Sequence, residues 1–268
     1  MLRNAIVSIV VCLALFSTAR ADSSSVFLEE LTWTELRDAQ RSGKTTIIIP
    51  VGGTEQNGPH MELGKHNFRV RALAARIATA LGDAVVAPVL AYVPEGTISP
   101  PSGHMRFPGT ISIPDATFQS VLESAAKSFS QNGFTDVVLI GDSGNYQGQL
   151  KAVALRLNRA WTASPARAHF IDAYYRATQG AYVQALRAKG LSDVQIGTHS
   201  GAADTALLMA LDPGRVRIDR LDAAHTAGAT AGVTGDPRAA SAALGQLGVD
   251  LIVVDTVDAI RKARKSSR

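Results

Sequence analysis

Two hydrophobic periods alternate along this chain. Residues 45–51 (TTIIIPV) and 136–140 (DVVLI) are short apolar runs, each closed by glycine, as strands buried on both faces are when they feed a loop. Residues 85–93 and 166–171 read as two further strands. Elsewhere apolar residues recur three and four apart, which predicts helices over 68–81, 116–132, 147–160, 180–189, 204–211, 239–247 and 250–264. Another helix opens within residues 31–36, with Thr32 or Thr34 as its N-cap. Alternating strands and helices predict an α/β fold in three layers, a mostly parallel sheet with helices on both faces. No repeat or linker interrupts the pattern, so residues 22–268 are expected to form a single domain. The ligand crevice of such a sheet lies beyond the carboxyl ends of its strands, which directs attention to the loops after Val51 and Ile140.

The first 21 residues follow different rules. A basic start at Arg3, an apolar run over 5–16 and the small-x-small triplet 19–21 form a cleavable export signal, and the run is too short to span a bilayer. The expected product is an exported, periplasmic or secreted bacterial protein without a membrane span. Its only cysteine, Cys12, leaves with the signal, which excludes disulfides and thiol chemistry from the mature chain. Of the formal charge of +4, removal of Arg3 and Arg20 leaves 25 basic against 23 acidic residues. The near-neutral balance, with basic residues gathered in a carboxyl-terminal tail lacking interleaved aromatics, argues against a nucleic-acid partner. A 46% hydrophobic content suffices for a large core.

Polar side chains concentrate in the loop after the first buried strand, residues 52–67 (GGTEQNGPHMELGKHN). Glu55, His60 and His66 offer one oxygen and two nitrogens, a mixture suited to zinc or manganese. The same residues could instead cap turns and bind backbone. Ser143 lies between a strand and a helix, as a nucleophile elbow would, with His199 and Asp204 elsewhere in the chain, but G-x-S-x-G spacing is missing. Residues 232–236 lack the Lys-Ser/Thr ending of a phosphate loop.

Five ordered segments resemble the creatininase family. Residues 52–67 are similar to its G-x-x-E-Q-H-G-P-H-L-P-L-x-x-D loop in Glu55, Gln56, Gly58, Pro59, His60 and Leu63; residues 102–112 (SGHMRFPGTIS) resemble H-x-x-F-P-G-T-I-S. Residues 141–145 (GDSGN) stand where the family has N-G-H-G-G-N or N-G-H-Y-E-N, 199–205 (HSGAADT) resemble H-A-G-x-x-E-T-S, and 232–240 resemble G-V-x-G-D-P-x-x-A. The resemblance implies a metal-dependent amidohydrolase, often with two divalent ions, acting on small or cyclic amides and commonly assembled as a homo-oligomer.

At the ligand positions the chain departs from that pattern. Asn57 stands at a histidine, His66 at the bridging aspartate, Ser143 at a metal histidine and Asn145 at a position that can hold glutamate. An imidazole cannot bridge two cations as a carboxylate does, so the expectation is one zinc or manganese ion, held by Glu55, His66 and Asp142, or a pocket without metal. The resemblance makes His199 a proton carrier beside the substrate, with Asp204 orienting it or capping the following helix. Asn57, His60, His104, Phe107, Ser143 and Asn145 are the expected substrate contacts. The leading function is metal-assisted hydrolysis of a C–N bond in a small amide or lactam. The alternative is a binding protein that keeps the pocket without turnover.

Overall fold

The computed structural model describes residues 25–266. The proposed export signal lies outside them. Four parallel strands, β1 (Thr46–Val51), β2 (Ala84–Val86), β3 (Asp136–Gly141) and β4 (Arg167–Phe170), form one sheet in the order β2-β1-β3-β4. β1 and β3 are central and buried at every residue, which is why both read as unbroken apolar runs rather than alternating ones. The strand expected over 85–93 is cut to Ala84–Val86, followed by an isolated bridge between Val51 and Leu90. Pro88, with no N–H to give to a ladder, lies between the two.

Helices cover both faces. On one face, Ile48, Val138 and Ile140 pack against α2 (Lys65–Leu81), α5 (Ala173–Gln179), α6 (Ala181–Ala188), α8 (Ala202–Leu211) and α10 (Ala242–Ser266). On the other, Ile47, Ile49, Val137 and Leu139 meet α3 (Asp115–Gln131) and α4 (Gln147–Ala160). Successive residues of a strand thus serve opposite cores, each fully buried Ile or Leu contributing roughly 1.5–3 kcal/mol. Shorter helices α1 (Trp33–Arg41), α7 (Asp193–Ile196) and α9 (Leu221–Ala227) complete the chain, α1 opening on a capping box between Thr32 and Glu35. Among the described residues no helix is long and apolar enough to cross a membrane.

The two helices expected over 239–247 and 250–264 are one, α10, of 25 residues. Gly248 reads as a stop, yet in the fold it is an approach point. A Cβ on Gly245 would fall 1.8 Å from the carbonyl oxygen of Ala206, and one on Gly248 would fall 2.8 Å from Leu207 and Tyr182. Close packing against α8 and α6 outweighs the roughly 1 kcal/mol that each glycine costs a helix.

Candidate active site

The register that pairs Val51 with Gly141 delivers two loops side by side at the carboxyl edge of the sheet. The first runs from Gly52 into α2, and the second, Asp142–Tyr146, runs into α4. Tyr146 ties them together: its hydroxyl donates to the carbonyls of Val51 and Gly52 (2.9 and 2.5 Å) and accepts from the amides of Asp142 and Ser143 (3.1 and 3.0 Å). The start of α8 closes the third side. A cavity of about 220 Å³ lies among them, at the place the sheet rule predicts.

At its floor the buried carboxylates of Glu55 and Asp142 and the part-buried one of Asp204 meet Lys65, His66 and Arg69. Asp142 accepts from His66 Nδ1 (2.6 Å), from Arg69 Nε (2.9 Å) and from the Tyr174 hydroxyl (2.6 Å). Asp204 accepts from Arg69 Nη1 (2.5 Å), Lys65 Nζ (3.2 Å) and the Ser200 amide (2.9 Å). Glu55 accepts from His66 Nε2 (2.8 Å) and has Lys65 Nζ at 3.7 Å. Ser200 adopts φ 58, uncommon for a residue with a Cβ, and the Asp204 carboxylate holds its amide. Burial alone would raise all three acids. The charges of His66 and Lys65 hold Glu55 well below the usual carboxylate range, Lys65 and Arg69 do the same for Asp204, and Arg69 and His66 lower Asp142. His66 is raised despite burial and Lys65, because Glu55 and Asp142 both favour its charged form.

Glu55, His66 and Asp142, the ligand set expected from sequence, do come together, but in a line. Both ring nitrogens of His66 are engaged by carboxylates, so the ring sits between the two acids instead of beside them. The compact donor set is a different one. His104 Nε2 lies 3.4 Å from Glu55 Oε2 and His199 Nδ1 lies 3.8 Å from Glu55 Oε1, and one donor atom from each of the three falls within 4.8 Å of the others. Two nitrogens and one oxygen at that spacing suit a single tetrahedral zinc, or manganese, with a position left for water. Burial, then Lys65, pushes His199 down to about 4, so its ring is neutral and its Nδ1 lone pair is available.

Gln56 aligns both histidines. Its carbonyl accepts from His199 Nε2 (3.0 Å), and its side-chain nitrogen lies 2.9 Å from His104 Nδ1. The Gln56 amide orientation follows from its own partners, the Gly58 N–H and the Gly232 carbonyl; a Cβ at Gly232, where φ is +72, would lie 2.1 Å from the Gln56 oxygen. A neutral His104 that accepts at Nδ1 carries its hydrogen on Nε2, the nitrogen facing Glu55. A cation held at Nε2 would require the other tautomer, with its hydrogen on Nδ1 facing Gln56.

Of the residues expected to contact substrate, Ser143, Asn145 and His104 line the cavity. Asn57, His60 and Phe107, the other expected substrate contacts, do not line it. Asn57 is buried and its side-chain nitrogen braces the loop through the carbonyls of Glu55 and Glu62. His60 Nε2 pairs with Thr205 Oγ1 (3.0 Å), joining the loop to α8. Phe107 ends the short turn Gly103–Arg106, outside the cavity wall. Sequence reasoning missed Lys65, Arg69 and Glu95. The first two sit i, i+4 on α2 on either side of His66, a spacing that places them on one face. Glu95, a lone acid beyond an apolar stretch, accepts from Asn145 Nδ2 (2.8 Å), and burial with the nearby Glu55 charge pushes it up to about 8.

Comparison with known proteins gives this geometry relatives. The family model described as creatinine amidohydrolase (creatininase) matches residues 29–260. The creatinine amidohydrolase of Pseudomonas putida is 28% identical over 261 residues, spanning 90% of this chain and 98% of that protein. A mycofactocin precursor peptide peptidase of Mycolicibacterium smegmatis is 29% identical over 221 residues, spanning 75% of this chain and 78% of its own length. Of solved structures, a manganese creatininase superposes with a TM-score of 0.70 at 27% identity, covering 89% of this chain and 98% of that one. A creatininase mutant of the Zn-Zn type gives 0.71 at 26% identity, covering 90% and 99%. The matched span holds all four strands and every residue of the pocket, and the chain belongs to the creatininase family of amide C–N hydrolases.

Proposed function

We propose that this chain hydrolyses the C–N bond of a small amide or lactam, with one divalent ion held by Glu55, His104 and His199. The convergence of those three side chains on one point at the cavity is the observation that supports the reading. Bound there, a zinc or manganese ion would supply the Lewis acidity that brings the pKa of water from 15.7 towards about 7 and polarises an amide carbonyl. Glu55 is held in a single orientation by His66, itself anchored on Asp142. Ser143 and Asn145, on the cavity wall, present a hydroxyl and an amide to orient the substrate. A cavity of about 220 Å³ is smaller than the roughly 300–1,000 Å³ of drug-sized sites, consistent with a compact substrate. Export through residues 1–21 and assembly of several copies belong to the same proposal.

In this arrangement the Nδ1 lone pair of His199 is committed to the ion, and the competing assignment makes His199 the proton carrier. Asp204, saturated by Lys65, Arg69 and the Ser200 amide, acts through those groups in either case. The test is zinc and manganese analysis of the purified chain beside turnover of a panel of small cyclic amides. About one ion per chain, lost together with turnover in His199→Ala and His104→Ala, is the expected result. A His199→Ala protein that keeps its ion and loses turnover returns the histidine to the proton-carrying role. Ligand-induced thermal stabilisation without metal or turnover would sink the hydrolase reading in favour of a binding protein.

A further inference from the structure

A pocket with two buried carboxylates, Glu55 and Asp142, beside the part-buried Asp204 requires positive charge, because uncompensated buried anions are costly. Here the chain provides that charge itself. Lys65, His66 and Arg69 lie within the first two turns of α2, all buried. The His66 ring lies 2.8 Å from Glu55 and 2.6 Å from Asp142, filling the space between those two acids. With a carboxylate on each of its nitrogens, the ring occupies the place between Glu55 and Asp142 where a second ion would have to sit. Arg69 spans from Asp142 to Asp204, and Lys65 from Asp204 towards Glu55. The three basic side chains therefore alternate with the three acids, and only the outer side of Glu55, towards His104 and His199, is left without one of them.

We propose that Lys65, His66 and Arg69 stand in for a second metal ion, so that the pocket takes one divalent cation at Glu55, His104 and His199 and excludes another from between Glu55 and Asp142. This rests on the single-ion site of the hydrolase reading and extends it by assigning the second positive charge of the pocket to side chains. Lys65 lines the cavity as well, which turns its ammonium towards whatever occupies it. Its charge also opposes the bound ion, since Lys65 Nζ is 3.7 Å from the Glu55 oxygen that His199 approaches.

The metal-stripped full-length chain is titrated with zinc chloride by calorimetry, and bound zinc is counted by mass spectrometry of metals after gel filtration, with folding checked by circular dichroism. Wild type is expected to take one zinc. Lys65→Met, which keeps the length of the side chain and removes its charge, is expected to keep one zinc and bind it at least about ten-fold more tightly, as loss of a like charge at this distance requires. His66→Asp, with a carboxylate in place of the cationic ring, is expected to take two. Two zinc ions in wild type, or a folded Lys65→Met protein whose zinc affinity is unchanged or weaker, overturns the inference while leaving the hydrolase reading intact. A wild type that takes up no zinc fails the single-ion reading itself. Should His66→Asp not fold, Lys65→Met decides alone.

Discussion

The inner half of the pocket and its outer half use similar side chains to opposite ends. Inside, Asp142 and Asp204 accept from Arg69, Lys65, His66, Tyr174 and the Ser200 amide. Outside, His104 and His199 each turn one nitrogen towards Glu55 and rest the other on Gln56. The two halves share Glu55. What separates them is saturation: inside, acids are matched by cations of the chain, whereas outside two nitrogens converge on a carboxylate with no cation between them. A buried array of matched charges is a structural element, and an incompletely matched one is a place for a ligand.

Substitutions should divide along the same line. Asp142→Ala strips Arg69 and His66 of a shared partner inside the protein, and is expected to cost about 3–5 kcal/mol, read as a lowered urea midpoint. A loss under about 1 kcal/mol would show that the inner half is not the anchor described. His199→Ala and His104→Ala should do the reverse. Turnover and bound zinc are expected to fall at least about 100-fold, beyond what outer partners of a metal site cost. His104 is partly exposed, with a quarter of its side-chain surface open (26%), and its loss should change stability by about 1 kcal/mol or less.

The histidines supply a pH test whose sign differs between them. His60 and His199 both fall to about 4, chiefly through burial and then Lys65. Between about pH 4 and the 6.5 of a free imidazole, the unfolded chain binds protons that the folded chain refuses. Their contribution is therefore constant above pH 6.5 and turns against folding as pH falls towards 4. His66 is shifted upward, so what it contributes is fully present below 6.5 and lost as pH rises through its folded value. The metal-free chain is expected to lose a few kcal/mol between pH 6.5 and 4, and His60→Gln should flatten part of that slope in thermal unfolding. An unchanged slope would mean that His60 is protonated in the folded state. The smallest effect is expected from Ser143→Ala, a few-fold in kcat/KM with zinc content unchanged, as removal of about one neutral hydrogen bond implies.

Legibility in the sequence followed the range of the interaction. β1 and β3 were readable because their apolar runs need no knowledge of what packs on them. Glycine was read less well at Gly248, where local propensity says stop and contact with Leu207 and Tyr182 says approach. Within the site, Glu55, His104, His199, Ser143 and Asn145 were all singled out, yet their grouping was not. His66 was expected as a ligand and His104 as a substrate contact; in the fold His66 lies between Glu55 and Asp142, and His104 lies on the open side of Glu55. Residue type states what a side chain can bind. It does not state which neighbour reaches it first.

From its order of residues alone this chain determines an α/β alternation, two buried central strands, the lack of any cysteine after Cys12, and a polar loop at the end of β1. Those follow from local period and composition, which act within a few turns of the chain. The folded structure decided that Lys65 and Arg69, which nothing in the sequence singled out, lie buried against Asp142 and Asp204, and that the His66 ring joins Glu55 to Asp142. Such pairings join residues up to 139 positions apart, and electrostatics in a desolvated pocket depends on distances of a few ångströms that no spacing in sequence encodes.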